Sequence, residues 1–301
     1  MTKSNRAAET VAKKKPRLSL VSMAELCNES TAPDWLVKNV MAAKQPLVIG
    51  GPAKCLKTSL ALDLAVSLAT GTPFLDTFAV TERCDVAVFS GESGRTTINE
   101  TVQRICRARD EDPAECGVHC GFRLPRLGNA ADRKELKQLL RDRKIGVVVI
   151  DPLYLCLGGG RSISAANLYD VGGILAAVTD ACLRAGATPV LVHHTNKSAA
   201  AGKESLALYD LAYSGVAEFA RQWLLVNRRT EYRAGSGAHD LVLSVGGSAG
   251  HSSRWRVLIN EGPGDAKRRS WSVRAVRDGE SDSISSRSRR RSRSLCDAGE
   301  V

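Results

Sequence analysis

With 301 residues, of which 43% are hydrophobic and 25% charged, the chain is long enough to bury a sizeable core as one large or two small domains. No uninterrupted apolar run approaches the ~18 residues of a membrane span, and no apolar segment follows the basic N-terminus, which argues against membrane association and against a secretory signal. The formal net charge of +11 is uneven: residues 1–20 carry six basic side chains against one acidic, residues 281–301 carry five arginines against three acids, and +4 is left for the middle.

The nine cysteines are scattered and odd in number, which reads as reduced thiols in a cytoplasmic protein. Residues 1–32 are expected to be a basic, largely disordered segment, with the folded domain over 33–278 and a disordered Ser/Arg-rich tail over 279–301. The tail, with its run of arginines between Ser285 and Ser294, suits weak attraction to nucleic-acid phosphates or plain solvation.

Between these ends apolar strands alternate with helices. Pro46–Ile49 is a short apolar run, and residues 57–69 (KTSLALDLAVSLA) read as a helix that is apolar nearly all round. Asp85–Phe89 is a second strand and residues 96–108 a helix. Cys116, His119 and Cys120 then place three zinc-capable side chains together, but no second pair completes a site, so plain thiols are the better reading. A helix over 131–143 follows, then a strand over Ile145–Ile150, a helix around 166–184 and a strand over residues 188–192. Beyond residue 220, Arg221–Asn227, Asp240–Val245, Trp255–Ile259 and Trp271–Val276 read as antiparallel strands. The expectation is an α/β fold: a mostly parallel sheet covered by helices on both faces, with antiparallel strands at its C-terminal end.

The segment Gly50-Gly51-Pro52-Ala53-Lys54-Cys55-Leu56-Lys57-Thr58-Ser59 follows a strand and opens a helix, the setting of a phosphate-binding P-loop. Gly51, Lys57 and Thr58 match the pattern G-x-x-x-x-G-K-[ST], and Leu56 takes the place of its second glycine. In this role Lys57 neutralises phosphate charge and the Thr58 hydroxyl ligates magnesium. Asp151, ending the apolar strand Val147–Ile150, supplies the second magnesium-side oxygen; the competing role for it is a helix cap or turn before Pro152. Glu92 lies just past another strand, placed to deprotonate water. His193 and His194 end a third, and strand alternation sends only one of them toward the nucleotide.

The order P-loop, Ser90-Gly91-Glu92, Val147–Pro152, His193-His194-Thr195-Asn196-Lys197 and Gly215–Arg221 resembles the RecA-like ATPases, nearest to the plasmid RepA type of hexameric replicative helicase, which is sometimes filed among AAA-family ATPases. The resemblance spans roughly residues 33–260. It implies a RecA-like P-loop core with ATP and Mg2+ as cofactors, Lys57, Thr58 and Asp151 as their ligands, and Glu92 as the catalytic glutamate. It also implies His193-His194 as the γ-phosphate sensor and Arg221 as an arginine finger reaching a neighbouring subunit. The implied partners are a homo-oligomer, a hexamer being one candidate, and single-stranded DNA. Leu56 departs from the pattern, and an α-like backbone there is the expected accommodation.

Three functions compete: an ATPase that acts on nucleic acid, a nucleotide-gated binding module that hydrolyses little because of Leu56, and a non-enzymatic nucleic-acid binder. Intact acids at 92 and 151 weigh against the second. An aromatic content of 5% offers few stacking platforms for the third.

Overall fold

The computed structural model describes residues 20–158, 168–196, 203–213, 215–264 and 269–279. Most of the basic N-terminal segment, Lys197 and the Ser/Arg-rich tail therefore lie outside the described residues. The chain divides into a unit up to Pro33 and a unit from Asp34 onward. In the first, the short helix α1 (Met23–Leu26) is closed by a capping box between Ser22 and Glu25.

The second unit opens with a small antiparallel pair, β1 (Trp35–Val37) and β2 (Met41–Ala42). Then come β3 (Leu47–Gly51), α2 (Lys57–Thr70), β4 (Val86–Ser90), α3 (Arg95–Ala108), β5 (Val118–Gly121) and α4 (Ala130–Asp142). They are followed by β6 (Val147–Asp151), α5 (Leu153–Cys156), α6 (Leu168–Leu183), β7 (Thr188–His194) and α7 (Val216–Phe219). The last elements are β8 (Gln222–Arg228), β9 (Ala238–Gly247), β10 (Ser252–Asn260) and β11 (Ser272–Arg277).

Among the described residues the main sheet has nine strands in the order β11-β10-β9-β8-β3-β7-β6-β4-β5. From β5 to β8 every pairing is parallel, and from β8 to β11 every pairing is antiparallel. The late strands therefore extend the same sheet and do not form a separate lobe. Burial explains the uninterrupted apolar runs. Val147 and Val149 enter the core under α2 and α3, while Val148 and Ile150 enter a second core under α4 and α6. A strand covered on both faces has no polar side to alternate with. The charged helices behave differently: α4 buries Leu136 and Leu140 and leaves its other side to solvent.

In a parallel sheet of this kind, side chains at the C-terminal strand ends gather along one edge. The P-loop, Glu92, Asp151 and His194 all follow or end such strands. The Cys116–Cys120 segment forms the edge strand β5 and its approach. Cys116 packs against the core that holds Cys106, and His119 Nε2 lies 3.2 Å from Asp85 Oδ2. Among the described residues, no three metal-ligating side chains converge. None of the helices among them is long and apolar enough to cross a membrane.

Candidate functional site

The P-loop runs from the end of β3 into the first turn of α2. Gly51 is there because no side chain fits: a Cβ would lie 2.3 Å from the Val226 carbonyl oxygen and 2.7 Å from Cys55 Sγ. Within the loop, Cys55 is buried, Pro52 and Ser59 are half-buried, and Ala53 and Lys54 are exposed. The Cys55 thiol donates to the Pro52 carbonyl at 2.9 Å, and burial pushes its pKa up.

Leu56 corrects the expectation of an α-like backbone. Its φ of 65° and ψ of 23° are left-handed, and Lys54 has a φ of 63°. A Cβ in this region approaches the following carbonyl, at a cost of roughly 1–2 kcal/mol per residue. The replaced glycine is thus a backbone requirement that the leucine meets under strain. Leu56 caps α2 without a side-chain hydrogen bond, and its half-buried side chain packs against the α2 core.

Lys57 is buried, and its Nζ donates to the Pro52 carbonyl at 2.6 Å. Burial lowers its pKa, opposed by the nearby Cys55, Asp151 and Glu92. At the second residue of the helix, the Thr58 hydroxyl donates to Asp151 Oδ2 at 2.6 Å. Asp151 is the last residue of β6, and its carboxylate faces the loop; the cap position of α5 belongs to Pro152. Burial raises the Asp151 pKa, and the Thr58 hydrogen bond opposes that rise. Two hard oxygen groups beside a buried ammonium and a turn that opens a helix N-terminus fit a magnesium–polyphosphate group.

Glu92 lies two residues beyond β4 and is exposed. Its Oε1 accepts a hydrogen bond of 2.7 Å from the Tyr154 hydroxyl and stands 3.9 Å from His194 Nε2. The Tyr154 and His194 rings are 5.5 Å apart. The two histidines separate as strand alternation requires. His194, in register with Gly51, shares the face that carries α2, and it remains partly exposed. His193 is fully buried on the other face, with Nε2 2.8 Å from the Ala212 carbonyl and its ring near Tyr213. Burial brings the His193 pKa down to about 4. Burial also lowers that of His194, with Lys57 as the next cause.

Arg221 is exposed. It precedes β8, an interior strand paired with β3 and β9. Because β8 runs parallel to β3, Arg221 sits at the opposite end of the sheet from the P-loop, roughly 15 Å away at ~3.3 Å per residue. It is not part of its own subunit's cluster.

Two residues join the site without a sequence signal. Tyr154 holds Glu92, and Arg228 donates from the end of β8 to the Lys54 carbonyl. Tyr154 could have been sought in its proximity to Asp151; Arg228 is too distant in sequence for any local pattern.

Among curated proteins none matches the chain's sequence. A family model described as an AAA domain matches residues 12–200, a span that contains the P-loop, Glu92, Asp151 and both histidines. That span is more than half of the 301 residues, and the chain belongs to this AAA domain family of P-loop ATPases.

Proposed function

We propose that the chain binds and hydrolyses Mg–ATP as a RecA-like motor of the RepA type, with nucleic acid, and single-stranded DNA in particular, as the structure it acts on. The observation that carries the reading is the meeting of four strand ends: Thr58 bonds to Asp151 at 2.6 Å while Glu92 and His194 stand 3.9 Å apart beside the same loop. Lys57 and the loop amides hold the triphosphate, and Thr58 and Asp151 hold Mg2+. When bound, the metal neutralises charge on the phosphate oxygens. Glu92 accepts the proton of the attacking water at one carboxylate oxygen, and Tyr154 fixes the orientation of that carboxylate. His194, whose pKa burial lowers, can donate one hydrogen bond toward the outer phosphate as a neutral ring. Arg221, remote from its own loop, serves a neighbouring subunit in a homo-oligomer, a hexameric ring being the form the RepA type suggests.

The strained Leu56 favours a second reading, a nucleotide-gated binding module with slow turnover. The separating experiment measures ATP turnover with and without single-stranded DNA at two salt concentrations, alongside calorimetry of Mg–ATP binding to wild type and Lys57→Ala. Stimulated turnover supports the motor, and tight binding with negligible turnover supports the module. Equal binding by Lys57→Ala removes the site.

A further inference from the structure

We infer that Arg228 is a positioning residue for the phosphate-binding loop, holding in place the left-handed turn that glycine would adopt unaided. The inference rests on the nucleotide-binding reading of that loop. Strand β8 flanks β3 in parallel register, with Gly50 opposite Leu225, so its last residue emerges beside the loop. From there one guanidinium nitrogen of Arg228 donates to the Lys54 carbonyl, in the middle of the segment where Lys54 and Leu56 have φ values of 63° and 65°. In a trans peptide the carbonyl and the next N–H point in opposite directions. Holding the Lys54 carbonyl therefore also sets the direction of the Cys55 N–H.

The guanidinium is itself fixed from two other sides. Its second terminal nitrogen lies 3.2 Å from His239 Nδ1, and it sits 5.2 Å over the ring of Tyr232. Tyr232 stacks on His239 with ring centroids 4.8 Å apart and nearly parallel planes (3°). His239 Nε2 is in turn 3.2 Å from Glu261, which is paired with the fully buried Arg104 of α3. A chain of polar contacts thus runs from a buried helix residue to one strained loop carbonyl. A planar group with several donors suits that position, since it reaches the carbonyl and the imidazole at once.

The test is a thermodynamic cycle on the full chain, read as Mg–AMP-PNP affinity by calorimetry with thermal melting of each variant in parallel. Arg228→Ala should weaken binding by ~10-fold or more, the scale of a lost charged hydrogen bond. Arg228→Lys should fall between it and wild type. In a Leu56→Gly background, where the steric penalty at position 56 is gone and that at Lys54 remains, the same Arg228→Ala change should weaken binding distinctly less, by ~3-fold. An unchanged affinity for Arg228→Ala overturns the inference, as does an equal loss in both backgrounds. Should Arg228→Ala not fold, Arg228→Lys is read in the same two backgrounds by the same criterion. If wild type binds no nucleotide, the reading of the loop fails and the inference with it. If wild type binds and Lys57→Ala does not, a failed cycle counts against Arg228 alone.

Discussion

The Tyr154 hydroxyl donates to Glu92 Oε1 at 2.7 Å, joining a residue just past β6 to one just past β4. His194 approaches the same oxygen, so among the described residues Oε2 is the carboxylate oxygen left to meet a water. Tyr154→Phe keeps the ring and removes the tether. Turnover should fall by ~10-fold with KM nearly unchanged, because orientation is lost while nucleotide contacts remain. Glu92→Gln should retain ATP binding and lose ~10²-fold or more, the scale of general-base removal. Steady-state kinetics of the two variants check both, and equal rates across all three proteins would return Glu92 and Tyr154 to surface structure.

Arg221 should act across an interface. It lies at the far end of the sheet from its own P-loop, and its exposure leaves it free to meet a neighbour. Arg221→Ala and Lys57→Ala proteins should each be inactive alone. Mixing them should restore part of the turnover, since some interfaces then join an intact loop to an intact arginine. Light scattering establishes whether the mixture is oligomeric, and absence of recovery in a confirmed oligomer assigns Arg221 elsewhere.

His193 makes stability depend on pH. Its pKa falls from 6.5 to about 4 because burial disfavours the charged ring. Between those values the unfolded chain holds a proton that the folded chain does not. The contribution is therefore complete above pH ~6.5 and is lost as pH drops toward ~4, reaching about 2 kcal/mol between pH 7 and pH 5. Urea unfolding at the two pH values should show this loss, and the difference should shrink in His193→Gln. A ring that titrates near 6.5 by NMR would contradict it.

Asp63 should be the costliest polar residue to remove from α2. Its carboxylate is fully buried, pairs with Arg109 at 2.7 Å, accepts from Trp271 Nε1 at 2.7 Å and from the Leu75 amide at 3.0 Å. Asp63→Ala leaves the Arg109 charge without its carboxylate and strands an indole N–H and an amide, and should destabilise by ~3–5 kcal/mol. Denaturant unfolding measures it; a loss under ~1 kcal/mol would mean that water or a rearranged Arg109 takes over.

The parallel half of the fold is readable because its strands are buried on both faces. Val147–Ile150 is an unbroken apolar run for that reason, and its strand falls where expected. Strand β5 is not readable: Val118, His119, Cys120 and Gly121 sit at a half-exposed edge and present neither a run nor an alternation. For the histidines, alternation says that they diverge, but which one turns to the loop depends on which face α2 covers. Leu56 shows the limit at a single position. Side-chain type alone suggested that a helical backbone would accommodate it, whereas the loop's closure forces a positive φ. Arg228 was invisible because its partner lies 174 residues earlier.

The register of β3 carries a consequence for where this protein can be cut. The family match ends at residue 200, yet β3 lies between β7 and β8, and β8 comes from beyond that limit. A chain stopped there would strip Leu47–Gly50 of the ladder to Gln222–Leu225 and turn the P-loop strand into an open rim of unpaired amides. Rims of that kind recruit strands from other molecules. The shortened protein would also lack Trp271 against Asp63 and Glu261 against Arg104. Precipitation, more than a mere loss of turnover, is the behaviour to expect of it.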